Sequence, residues 1–175
     1  MSKLLWVDME MTGLDVNREV ILEVAAIVTD LHFNELETFD AILKQPQHYL
    51  ENMDEWNTRV HGASGWIAKV PFGMDPVVAE DCLVALVMRH FPDANEKPVL
   101  AGNSIAQDRL FIDRHMPRLS ALLHYRMLDV TSWKLIMFNR FGVKTQKENK
   151  HRALDDIRES IKELQTYLQY VKIPN

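Results

Sequence analysis

The amino-acid sequence predicts an α/β fold, a mixed five-stranded sheet with helices on both faces. Three observations predict it. Three β-rich stretches crowd into the first 43 residues with short connections, the period then becomes helical, and two further short strands each precede a helix. Strands joined by short turns pair antiparallel, whereas strand–helix–strand units bring parallel neighbours together, so both pairings are expected in one sheet.

Residues 3–11 mix aliphatic and aromatic side chains with acids at every second place near the end, which is a strand pattern. Residues 20–29, rich in Val and Ile, make a second strand, and residues 37–43 a third that Pro46 ends, the three forming an antiparallel meander. Beyond Pro46, Leu50, Met53 and Trp56 recur at three-residue steps. Residues 76–91 follow as a longer amphipathic helix with Pro76 near its start, so two or three helices fill the middle. Residues 99–101 form a short buried strand stopped by Gly102 and Asn103, and Ser104 is placed to cap a helix that runs through Met116 until Pro117 ends it. Residues 125–130 give the fifth strand, and Thr131 can cap a helix to about Phe141. A polar loop, 142–150, leads to a last helix over roughly 152–170, with Ala153, Leu154, Ile157, Ile161, Leu164 and Leu168 along one apolar stripe. Strands and helices in this order suggest a sandwich of ribonuclease-H-like type.

A chain of 175 residues without internal repeat, low-complexity segment or Gly/Ser linker fits one domain over residues 1–175, large enough for a core of its own. Acidic residues arrive in the N-terminal stretch before any apolar run long enough for a signal peptide, so export is not expected. The longest apolar run, Cys82 to Met88, is far short of the ~20 residues of a membrane span. A single cysteine, Cys82, forbids an intrachain disulfide and fits a reducing compartment, so the expected location is the cytoplasm. The net charge of −5, with a pI near 5.8, is opposite to the footprint of a protein that tracks long nucleic acid. A ligand with one or a few phosphates remains compatible, because bound divalent cations reverse the sign of the field locally.

Asp8 and Glu10 stand two apart on a strand and therefore project from one face, where both can reach one ion; alone, they read equally as ordinary acids at a strand end. Asp108 falls one turn inside the helix that follows Gly102 and Asn103. Loops and helix starts at strand ends are where α/β proteins gather their sites, although a surface ion pair or a helix-dipole role would also suit it. His151 and Asp156 flank the start of the last helix. Five helical positions turn through about 500°, leaving the two ~140° apart, so His151 must belong to the preceding loop if both reach one centre. Asp129 and Glu23 read as structural.

In order along the chain, these segments resemble the DEDD exonuclease superfamily in its histidine variant: D-x-E on the first strand, a mid-chain Asp on a helix, and H-x-x-x-x-D near the end. More narrowly they resemble the oligoribonuclease family, through residues 6–14, His61 to Gly65, Gly102 to Asp108, Tyr125-Arg126 and His151 to Ser160. The resemblance implies a 3′-to-5′ exonuclease that hydrolyses very short RNA, dinucleotides especially. It implies that Asp8, Glu10, Asp108 and Asp156 hold two divalent cations and that His151 is the general base. The family spacing selects Asp156 over Asp155. Carboxylates without thiolate suit hard cations, Mg²⁺ or Mn²⁺, and four of them roughly neutralise two such ions, so a phosphate can bind without a basic groove. It further implies that Leu14 wedges between bases, that Trp56 and His61 line the base and phosphate side, and that Ser104, Arg126 and Thr131 cap the terminal phosphate. Tyr125 would reach across a homodimer toward the partner's site. Core packing is the alternative for Leu14 and Trp56, and a surface salt bridge for Arg126. The chain departs from the family pattern after Trp133, where residues 137–142 and a short Lys-rich stretch replace an aromatic, proline-containing segment and a longer basic loop. Two other functions compete: a broader DEDD-type exonuclease acting on DNA or longer RNA, which needs none of Leu14, His61, Tyr125 and Arg126, and a non-catalytic dinucleotide-binding module. No carboxylate of the motif is missing, which weighs against the second.

Overall fold

Alternation along Lys3–Met11 (β1) decides the layout. Leu5, Val7, Met9 and Met11 enter one core, while Leu4 and Trp6 enter another on the opposite face. A strand apolar on both faces must lie inside the sheet, and β1 does. In the computed structural model, which describes residues 2–63, 65–93, 95–145 and 152–172, β1 pairs antiparallel with Ile21–Asp30 (β2), and β2 with Glu35–Ile42 (β3). On its other side β1 runs parallel to Leu100–Gly102 (β4), and β4 parallel to Met127–Asp129 (β5), giving the order β3-β2-β1-β4-β5. The mixed sheet of five strands is as expected.

The helices are Gln47–Glu51 (α1), Glu55–Ala63 (α2), Pro76–His90 (α3), Ala106–His115 (α4), Pro117–Leu122 (α5), Val130–Phe141 (α6) and Ala153–Leu168 (α7), with a 3-10 stretch at Trp66–Phe72. Leu83, Leu86, Phe111, Ile112 and Leu119 of α3, α4 and α5 cover the face of Leu5 and Val7. Met137 of α6 and Ile157, Ile161, Leu164 and Tyr167 of α7 cover the face of Leu4 and Trp6. The buried Trp6 indole N–H donates to Thr29 Oγ1 at 3.0 Å, so the second core carries no orphaned donor at its largest side chain.

Five details differ from the sequence reading. The three-residue period through Leu50, Met53 and Trp56 is broken, because Asp54 accepts the Asn57 N–H at 2.8 Å and starts a new helix. Ser104 does not cap α4. Its φ of 50° is left-handed, and its N–H donates to Asp129 Oδ1 at 3.0 Å and Thr131 Oγ1 at 2.9 Å. Thr131 does not cap α6 either: Asp129 does, accepting the Thr131 N–H at 2.8 Å. Pro117 ends α4 but also opens α5, where its missing N–H leaves no hydrogen bond unmade. In α7 the buried stripe closes on Tyr167, while Leu168 at the last turn is partly exposed.

Candidate active site

The pleat that sends Leu4 and Trp6 toward α7 sends Asp8 and Glu10 the same way. Asp156, in the first turn of α7, meets them there: one carboxylate oxygen from each of Asp8, Glu10 and Asp156 lies within 4.8 Å of the others. Asp155 is not part of this group. The three acids come from the two ends of the chain, and the packing of Ile157 and Ile161 against the sheet brings them together.

Asp108 approaches from the opposite layer. Its helix, α4, buries Phe111 and Ile112 beneath the other face, so its carboxylate reaches the edge of β1 and not the three-acid group itself. Of β1, Leu5 and Trp6 pair with β4, and beyond that pairing the Asp108 carboxylate accepts backbone N–H groups from Met9 and from Asp108 itself. The side chain is 6% exposed. Burial, followed by the charges of Glu10 and Asp129, raises its pKa well above the usual carboxylate range, against the pull of those two hydrogen bonds. Burial also pushes Glu10 up to about 7, reinforced by Asp156 and Glu23 and opposed by Arg152. Acids so placed are short of positive charge, the condition that a bound cation relieves.

His151 lies outside the described residues. Leu14 and Trp56 are 75% and 57% exposed, which excludes core packing for both. Gln107 Nε2 donates to the Leu14 carbonyl at 2.8 Å, tying that loop to the start of α4 beside Asp108. His61 is buried. Its Nε2 sits 3.0 Å from the Met11 carbonyl, which can only accept, so Nε2 carries a proton and Nδ1 faces Glu10 Oε2 at 3.7 Å. The Ser104 and Thr131 hydroxyls lie 3.1 Å apart. Arg126 is exposed and donates to the Tyr125 hydroxyl at 3.0 Å; among the described residues no carboxylate lies within ion-pair distance of it, so the surface salt bridge is not formed.

Two connections were not read from the sequence. Asn103 donates to Ser160 Oγ at 2.6 Å and accepts from Thr131 Oγ1 at 3.3 Å, while Ser160 Oγ donates to the Asp156 carbonyl, linking the Ser104–Thr131 pair to α7. Glu23, read as structural, is paired with Arg152. A lone acid inside an apolar strand, opposite Glu10 in an antiparallel meander, was the available signal.

The exonuclease family matches residues 5–164. Oligoribonucleases of Pseudomonas paraeruginosa, Ectopseudomonas mendocina and Coxiella burnetii are 44%, 43% and 42% identical to this chain. The alignments cover 95%, 97% and 95% of it and 94%, 96% and 92% of those proteins. Among solved structures, an Escherichia coli exonuclease I complex with single-stranded DNA superposes with a TM-score of 0.75 at 15% identity, over 97% of this chain and 41% of that one. An exonuclease I from Methylocaldum szegediense gives 0.72 at 15%, over the same shares. These two likenesses carry the ribonuclease-H-like fold. With the match running almost end to end in both partners of each oligoribonuclease alignment, the chain belongs to the exonuclease family and, within it, to the oligoribonucleases.

Proposed function

We propose that this chain is a 3′-to-5′ exoribonuclease that hydrolyses very short RNA, dinucleotides above all, to mononucleotides, acting as one exonuclease domain over residues 1–175. The observation that carries the proposal is the convergence of Asp8, Glu10 and Asp156, with Asp108 beside them, in a member of the oligoribonuclease family. These four carboxylates would hold two divalent cations. The donor set fits: oxygen ligands without thiolate suit Mg²⁺ or Mn²⁺, and the raised pKa of Glu10 is that of a carboxylate that is first buried and then crowded by the like charges of Asp156 and Glu23. When bound, such a pair activates water and stabilises the attacking and leaving oxygens of an in-line displacement at phosphorus. His151 is assigned as the general base, since an imidazole accepts a proton at neutral pH.

Exposure of Leu14 and Trp56 supports contacts with bases, and an exposed Arg126 with no carboxylate partner among the described residues supports contact with a terminal phosphate alongside Ser104 and Thr131. His61, buried against Glu10, supports the substrate side through that carboxylate. A cap on the terminal phosphate leaves no path for a longer strand, so the pocket would measure length. Hydrolysis of an RNA dimer, a pentamer and an oligomer of roughly twenty nucleotides, and of DNA dimers, tests this. A steep preference for the RNA dimer is expected, abolished by chelator and by Asp8→Ala, and equal rates across lengths reject it.

The family resemblance also supports a homodimer in which Tyr125 approaches the partner's site. Exposed Leu135, Ile136, Phe138 and Phe141 make α6 an apolar surface suited to a second subunit. Sedimentation equilibrium that finds only monomer at micromolar concentration rules it out. A cytoplasmic location rests on the lone Cys82, and among the described residues no helix is long and apolar enough to cross a membrane. Recovery in an exported fraction contradicts it.

A further inference from the structure

Glu10 and Glu23 are direct partners in the β1–β2 register, so their side chains rise from the same face of the sheet. Directly opposed side chains on neighbouring strands hold their Cβ atoms only about 4.5–5.5 Å apart, and like charges placed so destabilise the pair. Glu23 is nevertheless buried, its side chain 1% exposed. What answers its charge is Arg152, the residue from which the chain enters α7. Arg152 Nε and Nη2 donate to Glu23 Oε1 at 2.9 and 2.8 Å, Nε also to Oε2 at 3.3 Å, the planar fork that a guanidinium makes with a carboxylate.

The same carboxylate reaches the helix itself. No side chain of its own caps the N-terminus of α7, and Glu23 Oε2 lies 3.4 Å from the Ala153 N–H, one of the donors that a helix start leaves open. The Arg152 carbonyl then accepts the Asp156 N–H at 2.9 Å. A continuous series of contacts therefore runs from β2 through Glu23 and Arg152 to the backbone of Asp156, and it starts at the strand position facing Glu10.

We propose that Glu23 and Arg152 are positioning residues of the active site: their buried ion pair sets the first turn of α7 against β1 and so holds the Asp156 carboxylate in register with Asp8 and Glu10. This inference rests on the proposed metal-binding role of those three acids. Neither Glu23 nor Arg152 need touch the substrate. Apolar contacts of Ile157 and Ile161 give α7 its attachment to the sheet, but such contacts are non-directional, and it is the fork that fixes the position of its end.

Glu23→Gln keeps the shape and removes the charge. Partners of this kind typically support metal affinity and activity by about 10–100-fold, and a loss of that size in kcat is expected, with KM for an RNA dinucleotide changed by less than about threefold. Calorimetric titration with Mn²⁺ alone, without turnover, should show weaker binding. In metal-free protein, hydrogen exchange should quicken at residues 153–157 while the β1–β2 amides stay protected. Arg152→Ala should lose kcat similarly and regain part of it with millimolar guanidinium, because the side chain it replaces is partly open to solvent, at 38%.

Unchanged kcat and unchanged Mn²⁺ affinity in Glu23→Gln overturn the proposal. So does exchange that quickens throughout the sheet with no recovery by guanidinium, which is the mark of a general stabilising role. Asp8→Ala separates the two levels: if it keeps activity, the metal site itself is wrong, whereas an inactive Asp8→Ala beside a fully active Glu23→Gln refutes only the positioning role.

Discussion

Glu10 sits where four charges meet, and its protonation should govern how the metal-free protein responds to pH. Burial, Asp156 and Glu23 raise its pKa from 4.5 to about 7 against the opposing pull of Arg152, and burial moves Asp108 in the same direction. Below the unfolded value of 4.5 both states hold the Glu10 proton, and its contribution to stability is fully present. Between there and about 7 the unfolded chain releases the proton while the folded chain retains it, so stability falls as pH rises through that window. The melting temperature in chelator should therefore drop between about pH 5 and 8, and divalent cations should restore it most strongly at the upper end, where their ligands are ionised. A chelated protein whose melting temperature neither falls nor responds to added Mg²⁺ or Mn²⁺ contradicts this account. The D-x-E pair was legible in the sequence because the pleat has a period of two. The crowding around it was not: burial of Glu10 depends on α7, more than 140 residues away in the chain, and on the direction in which its first turn faces.

Among the elements, β4 is only three residues long, yet it sets how closely the Asn103–Ser104 turn and α4 approach the acids. A Cβ added at Gly102 would stand 2.9 Å from the Val7 carbonyl oxygen and 3.0 Å from Ile105 Cδ1, and the carbonyl belongs to the strand that carries Asp8. Backbone cannot yield as a flexible side chain can. Gly102→Ala should cost about 1–3 kcal/mol, as overpacking does, and lower activity more than that loss of stability explains, because relief comes by moving β1. Chemical denaturation paired with dinucleotide hydrolysis checks this, and an alanine variant of unaltered midpoint and rate removes the constraint. Long elements were legible: the bounds of β1 and the start of α3 at Pro76 follow from pattern alone. Short ones were not. Residues 125–130 promised a strand of six where three pair with β4, and of the two predicted hydroxyl caps Thr131 gives way to Asp129 at the start of α6, while α4 carries no side-chain cap. The α6 cap lay one residue before the helix, within reach of local pattern, but Asp129 also accepts the Ser104 N–H across 25 residues, a contact between neighbouring strand ends that local spacing does not reveal.

For the molecule as a whole, the acidic balance that seemed to argue against a nucleic-acid substrate becomes a prediction about salt. Acids outnumber Lys and Arg by 25 to 20, and much of the arginine complement is already engaged: Arg89, Arg109, Arg118, Arg152 and Arg158 each pair with a carboxylate of the same chain. These guanidinium groups are therefore committed to holding the fold together and cannot line a groove for a long strand. The groups proposed for the phosphate are local, Arg126 and the Ser104–Thr131 pair, together with the carboxylates that cations would neutralise. Counterion release then scales with the one or two phosphates of a dinucleotide, so log affinity should fall with log salt with a slope of only about −1. An enzyme that tracks a longer strand by its backbone releases many more ions and shows a proportionally steeper line. Affinity for a non-hydrolysable dinucleotide, measured across a series of KCl concentrations at constant free divalent cation, reads the slope directly. A slope several times steeper would mean that basic side chains follow the strand well beyond the terminal phosphate, and the length-measuring pocket would have to be abandoned.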